Sequence, residues 1–185
     1  MTTDRLAHHS RLMATLTQAL IVGMLVLNAA CWFFPSIAIK YGLGFNLTAI
    51  GVTGDLNVDI SSMPWWQVAG GVILSSIPLL MLARGLNALR RLFQLYSEGH
   101  HFSEGSSALL GKVGFGVIMW VLLSFVLTPA ISVWVTMRQP PGEGLLTIAF
   151  DSSHLVSLFL AASVMVIARI HQKASALARE NQQFI

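Results

Sequence analysis

The chain has 185 residues, of which 55% are hydrophobic and only 10% charged, against about 25% charged in an ordinary soluble domain. Together with a mean hydropathy of +0.69, that balance excludes a water-soluble globular domain, so the net charge of +3 is read as membrane orientation and no nucleic-acid partner is expected. The single cysteine, Cys31, excludes an intrachain disulfide and a multi-cysteine metal cage.

Four apolar runs approach or exceed the ~20 residues needed to cross a bilayer. The first, residues 13–38, follows Arg5 and Arg11. It is longer than the apolar region of a signal peptide, and although "LNAAC" at 27–31 resembles a lipoprotein cleavage box, Asn28 stands where an aliphatic residue is expected. An uncleaved span is predicted. The extracytoplasmic loop 39–64 alternates: Phe45, Leu47, Ile50 and Val52, then Leu56, Val58 and Ile60, separated by Thr53-Gly54-Asp55. That pattern predicts a β-hairpin, to which Leu145–Phe150 of the second outer loop adds a third strand.

The second span, 65–86, opens on Pro64, Trp65 and Trp66, a helix start at a membrane interface. Its periodicity continues through Leu82, Leu86, Leu89, Phe93 and Tyr96, with Arg84, Asn87, Arg90, Arg91 and Gln94 on the other side. This predicts a helical extension with a basic face. A cytoplasmic turn, 97–106, leads to the third span, 109–137, and the fourth covers 154–171 before the cytoplasmic tail 172–185. Pro78 and Pro129 are expected to kink their helices. Small residues four apart, Gly71 with Ser75 and Ser153 with Ser157 and Ala161, permit close helix packing in lipid.

If both termini are cytoplasmic, nine of the eleven Lys and Arg residues lie inside and only Lys40 and Arg138 outside. Such a bias in short loops sets orientation. The predicted protein is therefore all-α: a single membrane domain over 1–185, a four-transmembrane-helix bundle with cytoplasmic helix extensions and a small extracytoplasmic β-hairpin or sheet cap. Both termini are placed in the cytoplasm of a bacterial inner membrane.

Chemistry is sparse. No phosphate loop, HExxH pair or nucleophile elbow is present. No span carries a central charge of the kind that marks proton-coupled transport. His154 and His171 sit at opposite ends of the fourth span and cannot share one haem. No enzyme and no cofactor are expected. The polar residues at depth are Asn28, Ser75, Ser76, Ser124 and Thr128, with Asn28 read first as interhelical glue. In "SEGHHFSEG", Glu98, His100, His101 and Glu104 are weak metal candidates, since adjacent histidines converge on one ion only from an irregular loop. The turn reading uses more of the residues. Gly99 ends the second helix, Phe102 tucks its ring between helices, and Ser103 caps the third helix with Glu104 in its first turn. Arg84, Arg90, Arg91, Lys173 and Arg179 are candidates for partner or lipid contact.

The segment "LRRLFQLYSEGHHFSEGSSALLGKVG" (89–114) resembles the hallmark of domain-of-unknown-function family 2975, a bacterial membrane family with a helix, a G-x-x-F-S turn and a second helix with an early glycine. "VIARIHQKASALARENQQF" (166–184) is similar to its ending, although the apolar stretch that usually follows the Glu-Asn pair is not seen before Ile185. The resemblance implies company with small helix-turn-helix regulators and supplies no catalytic residues. The expected role is a regulatory or accessory subunit that binds a membrane or cytoplasmic protein partner, the other surroundings being the lipid bilayer and a possible second copy of the chain. The alternatives are a small oligomeric transporter or channel, and a metal-responsive membrane protein.

Overall fold

The computed structural model describes residues 2–34, 63–98, 104–139 and 152–182. They form four long helices: α1 (Thr2–Phe33), α2 (Trp65–Ser97), α3 (Glu104–Thr136) and α4 (Ser152–Gln182). Each contains a stretch long and apolar enough to cross a membrane, namely Ala7–Phe33, Trp65–Ser97, Gly105–Thr136 and Ser152–Ala174. The chain is a multi-pass membrane protein. In hydrocarbon no water serves the backbone, so a continuous helix, which satisfies its own amides and carbonyls, is what such runs adopt.

The helix ends follow from local chemistry. Phe34 N–H still donates to Ala30 O at 2.8 Å, but Phe34 precedes Pro35, and the residue before a proline disfavours helical backbone. α2 begins where Pro64 O accepts from the amides of Gln67 (2.9 Å) and Val68 (3.2 Å). It closes on Ser97, whose hydroxyl donates to Gln94 O at 2.7 Å. Gln139 N–H returns to Thr136 O at 2.9 Å, immediately before Pro140 and Pro141, which cannot continue α3.

One expectation is corrected. The described residues contain four helices and no strand, so over those residues the fold is all-α and the expected β-hairpin or sheet cap is not part of it. The segments from which that cap was read, 44–62 and 145–150, lie outside the described residues. Alternation alone is a weak warrant for a sheet: it marks a residue pattern and not a pairing partner, and a lone hairpin is marginal in stability.

The chain divides into two compact units. The first comprises Met1–Ile21, Met81–Met119 and Ser152–Ile185, and its interior is built from small side chains: Ala14, Ala83, Ala88, Ala161 and Ala168 are buried, with Leu92 the largest buried apolar residue. α2 and α3 approach there at Gly85 and Gly116, where a Cβ on Gly116 would lie 2.6 Å from Gly85 Cα. α3 meets α4 at Gly114, where a Cβ would lie 2.8 Å from Ala161 O. Both positions require glycine because backbone fills the place of a side chain.

The second unit, Val22–Leu80 and Trp120–Asp151, is packed differently. Its core joins Trp32, Val68, Ile131 and Val135, with Met63, Val72, Leu74 and Leu127 against them. Trp32 lies over Gly71 and Trp134 over Gly70, each ring occupying the space a Cβ would need.

Candidate functional site

Two polar clusters organise the second unit. In the first, α1 brings Asn28 and Trp32, one turn apart, against Ser75 and Ser76 of α2. Asn28 Nδ2 donates to Ser75 Oγ at 3.0 Å and to Ser76 Oγ at 3.2 Å. Trp32 Nε1 donates to Ser75 Oγ at 3.0 Å, and Ser75 passes its own proton to Val72 O at 3.2 Å. Asn28 and Ser75 are fully buried. Asn28 Oδ1 has no hydrogen-bond partner among the described residues, and such an orphan costs about 1–3 kcal/mol. Turning the amide over would strand two N–H donors in place of one acceptor, so the orientation stands on its own bookkeeping.

The second cluster ties the start of α2 to the end of α3. Gln67, only 2% exposed, donates from Nε2 to Trp134 O at 2.9 Å and Val135 O at 3.0 Å. Trp134 Nε1 returns a bond to Gln67 O at 2.9 Å. Those two carbonyls belong to the last turn of α3, where no intrahelical amide remains to serve them. Gln67 is therefore a C-cap supplied from a neighbouring helix. Trp66 packs edge-on against Trp134 at 6.0 Å, and Trp65 is exposed, as interfacial aromatics are.

Hydroxyls on α3 serve their own helix. Ser124 donates to Trp120 O (2.7 Å), Thr128 to Ser124 O (2.8 Å), Ser132 to Pro129 O (2.8 Å) and Thr136 to Ser132 O (2.8 Å). Spaced four apart, they form one stripe, and Ser124, Ser132 and Thr136 are buried. Back-bonding to the preceding turn consumes each hydroxyl proton.

The charged candidates fall in the first unit. Arg84, Arg91, Lys112, Arg169 and Lys173 are exposed and Arg90 is partly so. Arg84 Nη1 contacts Met81 Sδ at 3.6 Å. Arg179 lies within the range of α4 and Glu104 opens α3, but their side chains lie outside the described residues, as do Gly99, His100, His101, Phe102 and Ser103 altogether. Glu98 is exposed in the turn that follows α2. Among the described residues no group of three or more His, Cys, Asp or Glu is placed to hold a metal ion.

α2 is longer than one bilayer crossing needs. At about 1.5 Å per residue its 33 residues span about 50 Å, against a hydrocarbon core of ~30 Å. Counting ~20 residues from Trp65 reaches Arg84. Beyond it α2 runs on for about another 20 Å carrying Arg90 and Arg91.

The family model described as "Protein of unknown function (DUF2975)" matches residues 47–185. The chain belongs to this family. No curated protein and no solved structure matches it. Within this DUF2975 chain, reading the sequence alone missed Gln67, Trp32, Trp134, Ser132 and Thr136 as parts of polar clusters. Gln67, an amide inside an apolar run, was the one available signal.

Proposed function

We propose that this DUF2975 protein is a non-enzymatic subunit of a bacterial inner membrane, with both termini cytoplasmic, that holds an acidic protein partner against its cytoplasmic end as a regulatory or accessory component. The observation that carries this reading is the length of α2, which runs 13 residues past Arg84 to Ser97 bearing Arg90 and Arg91, with Lys173 of α4 in the same unit. A span needs basic residues at its edge for orientation. Charges ~10 Å further along the helix exceed that need and suit an anionic surface presented from the aqueous side.

The polar residues at membrane depth support the same reading. Asn28, Ser75 and Gln67 bond across helices, and the α3 hydroxyls bond within their own helix. Those protons hold the fold and do not line a path.

The test is purification from native membrane in lipid nanodiscs, comparing wild type with Arg90→Glu/Arg91→Glu/Lys173→Glu. A stoichiometric protein that accompanies wild type and is lost from the triple variant, at unchanged melting temperature, supports the proposal. A partner retained by the variant, or a small molecule bound at bilayer depth with no protein partner, overturns it.

A further inference from the structure

We infer that Arg84 of α2, Lys112 of α3 and Arg169 of α4 form a binding site for the headgroup phosphate of an anionic phospholipid. Glycine contacts bring the three together. A Cβ on Gly85 would lie 3.2 Å from Gly116 Cα and 3.3 Å from Val113 O, so α2 and α3 touch backbone to backbone at that level. Arg84 precedes Gly85, and Lys112 precedes Val113. The two helices run antiparallel, so one step back from each contact residue, a turn of about 100°, leads to the same side of the pair. The α3–α4 seam repeats the arrangement. A Cβ on Gly111 would lie 4.0 Å from Ala168 Cβ, and one step forward from that contact reaches Lys112 on α3 and Arg169 on α4. Lys112 therefore shares one face with Arg84 across the first seam and with Arg169 across the second. All three side chains are exposed and belong to the first compact unit.

What lies next to the cations selects the ligand. Each has an apolar residue about one turn away, toward the middle of its span. Met81 lies before Arg84, with its Sδ 3.6 Å from Arg84 Nη1. Phe115 follows Lys112 and Val166 precedes Arg169, and both are exposed. The ~20 residues of one crossing, counted from Trp65, end at Arg84. The face is thus cationic at the edge of the crossing and apolar just inside it. A free phosphate or a soluble acidic protein matches the first half only. A phospholipid matches both, its phosphate taking the guanidinium and ammonium donors while its acyl chains cover the apolar residues. A zwitterionic headgroup brings its own ammonium toward three cations, so an anionic one fits. Arg90, Arg91 and Lys173, assigned above to a protein partner, lie about one turn or more further from the spans.

The test uses the full chain, stripped of lipid in detergent and titrated with dioleoyl phosphatidylglycerol or dioleoyl phosphatidylcholine, with complexes read by native mass spectrometry. A saturable phosphatidylglycerol complex is expected, tighter than that of phosphatidylcholine and not displaced by millimolar inorganic phosphate. Arg84→Gln/Lys112→Gln/Arg169→Gln should weaken it at least about tenfold, whereas Arg90→Gln/Arg91→Gln/Lys173→Gln, which removes the same charge further out, should change it by less than about threefold. If the first variant does not fold, phosphatidylglycerol with a photoreactive group on its acyl chain beside the glycerol is crosslinked to wild type, and adducts on Phe115 or Val166 are expected. Equal affinity for the two lipids overturns the inference, as does displacement by inorganic phosphate. So do equal losses in the two triple variants, or adducts confined to other residues.

Discussion

Replacing Gln67 by leucine, nearly its equal in volume, removes the cross-helix cap and little else. The bond from the Trp134 indole Nε1 to the Gln67 backbone carbonyl survives, while Trp134 O and Val135 O lose the donor that approaches them at 2.9 and 3.0 Å. At the ~0.6 kcal/mol average of interhelical side-chain bonds in membranes, two bonds amount to about 1 kcal/mol. At the upper range for buried bonds, ~1.5 kcal/mol each, they reach about 3 kcal/mol. Taking about 2 kcal/mol, and ~2–4 °C per kcal/mol for a chain of this size, Gln67→Leu should lower the melting temperature in detergent by about 4–8 °C. Loss of the monodisperse species on heating, followed by size-exclusion chromatography, is the readout. Trp134→Phe deletes the reciprocal bond, and the double variant should fall short of the sum because the two residues share one network. A Gln67→Leu protein melting within ~1 °C of wild type refutes the cap, for it would mean that water serves those carbonyls equally well.

Gly71→Val should destabilise the second unit by ~1–3 kcal/mol, since its side chain takes the place of the Trp32 ring; a shift in Trp32 fluorescence should accompany the lower melting temperature, and an unshifted spectrum speaks against the displacement. Gly116→Val pushes against Gly85 backbone, with a Cβ 2.6 Å from Gly85 Cα, and should destabilise by more than Gly23→Val, where a Cβ meets nothing within 4 Å. Equal melting temperatures for the two variants would contradict the close α2–α3 approach. For topology, a reporter active only in the cytoplasm should work when fused after Ile185 or within 98–105 and stay silent within 51–59. Activity in the first loop would reverse the orientation.

What could be read directly from the sequence was whatever depends on a residue and its chain neighbours. Apolar runs of twenty or more residues become helices wherever lipid is the solvent, because no other backbone arrangement satisfies itself within one segment; hence the four helices and the membrane. The 3.6-residue pattern from Leu82 to Tyr96 likewise foretold that the helix of the second span continues past residue 86, as α2 does to Ser97, and the segment at 89–114 carried the family. Tertiary structure decided which polar groups meet. That Asn28 finds Ser75 and Ser76, 47 and 48 residues away, and that Gln67 caps a helix 67 residues on, depends on how each helix is rotated and shifted along its neighbour. Rotation and shift are set by Trp32 over Gly71 and by Gly85 against Gly116, contacts between positions that no local periodicity links. The alternating pattern of the first loop has the same limit: a strand needs a partner, and one segment's pattern does not name it.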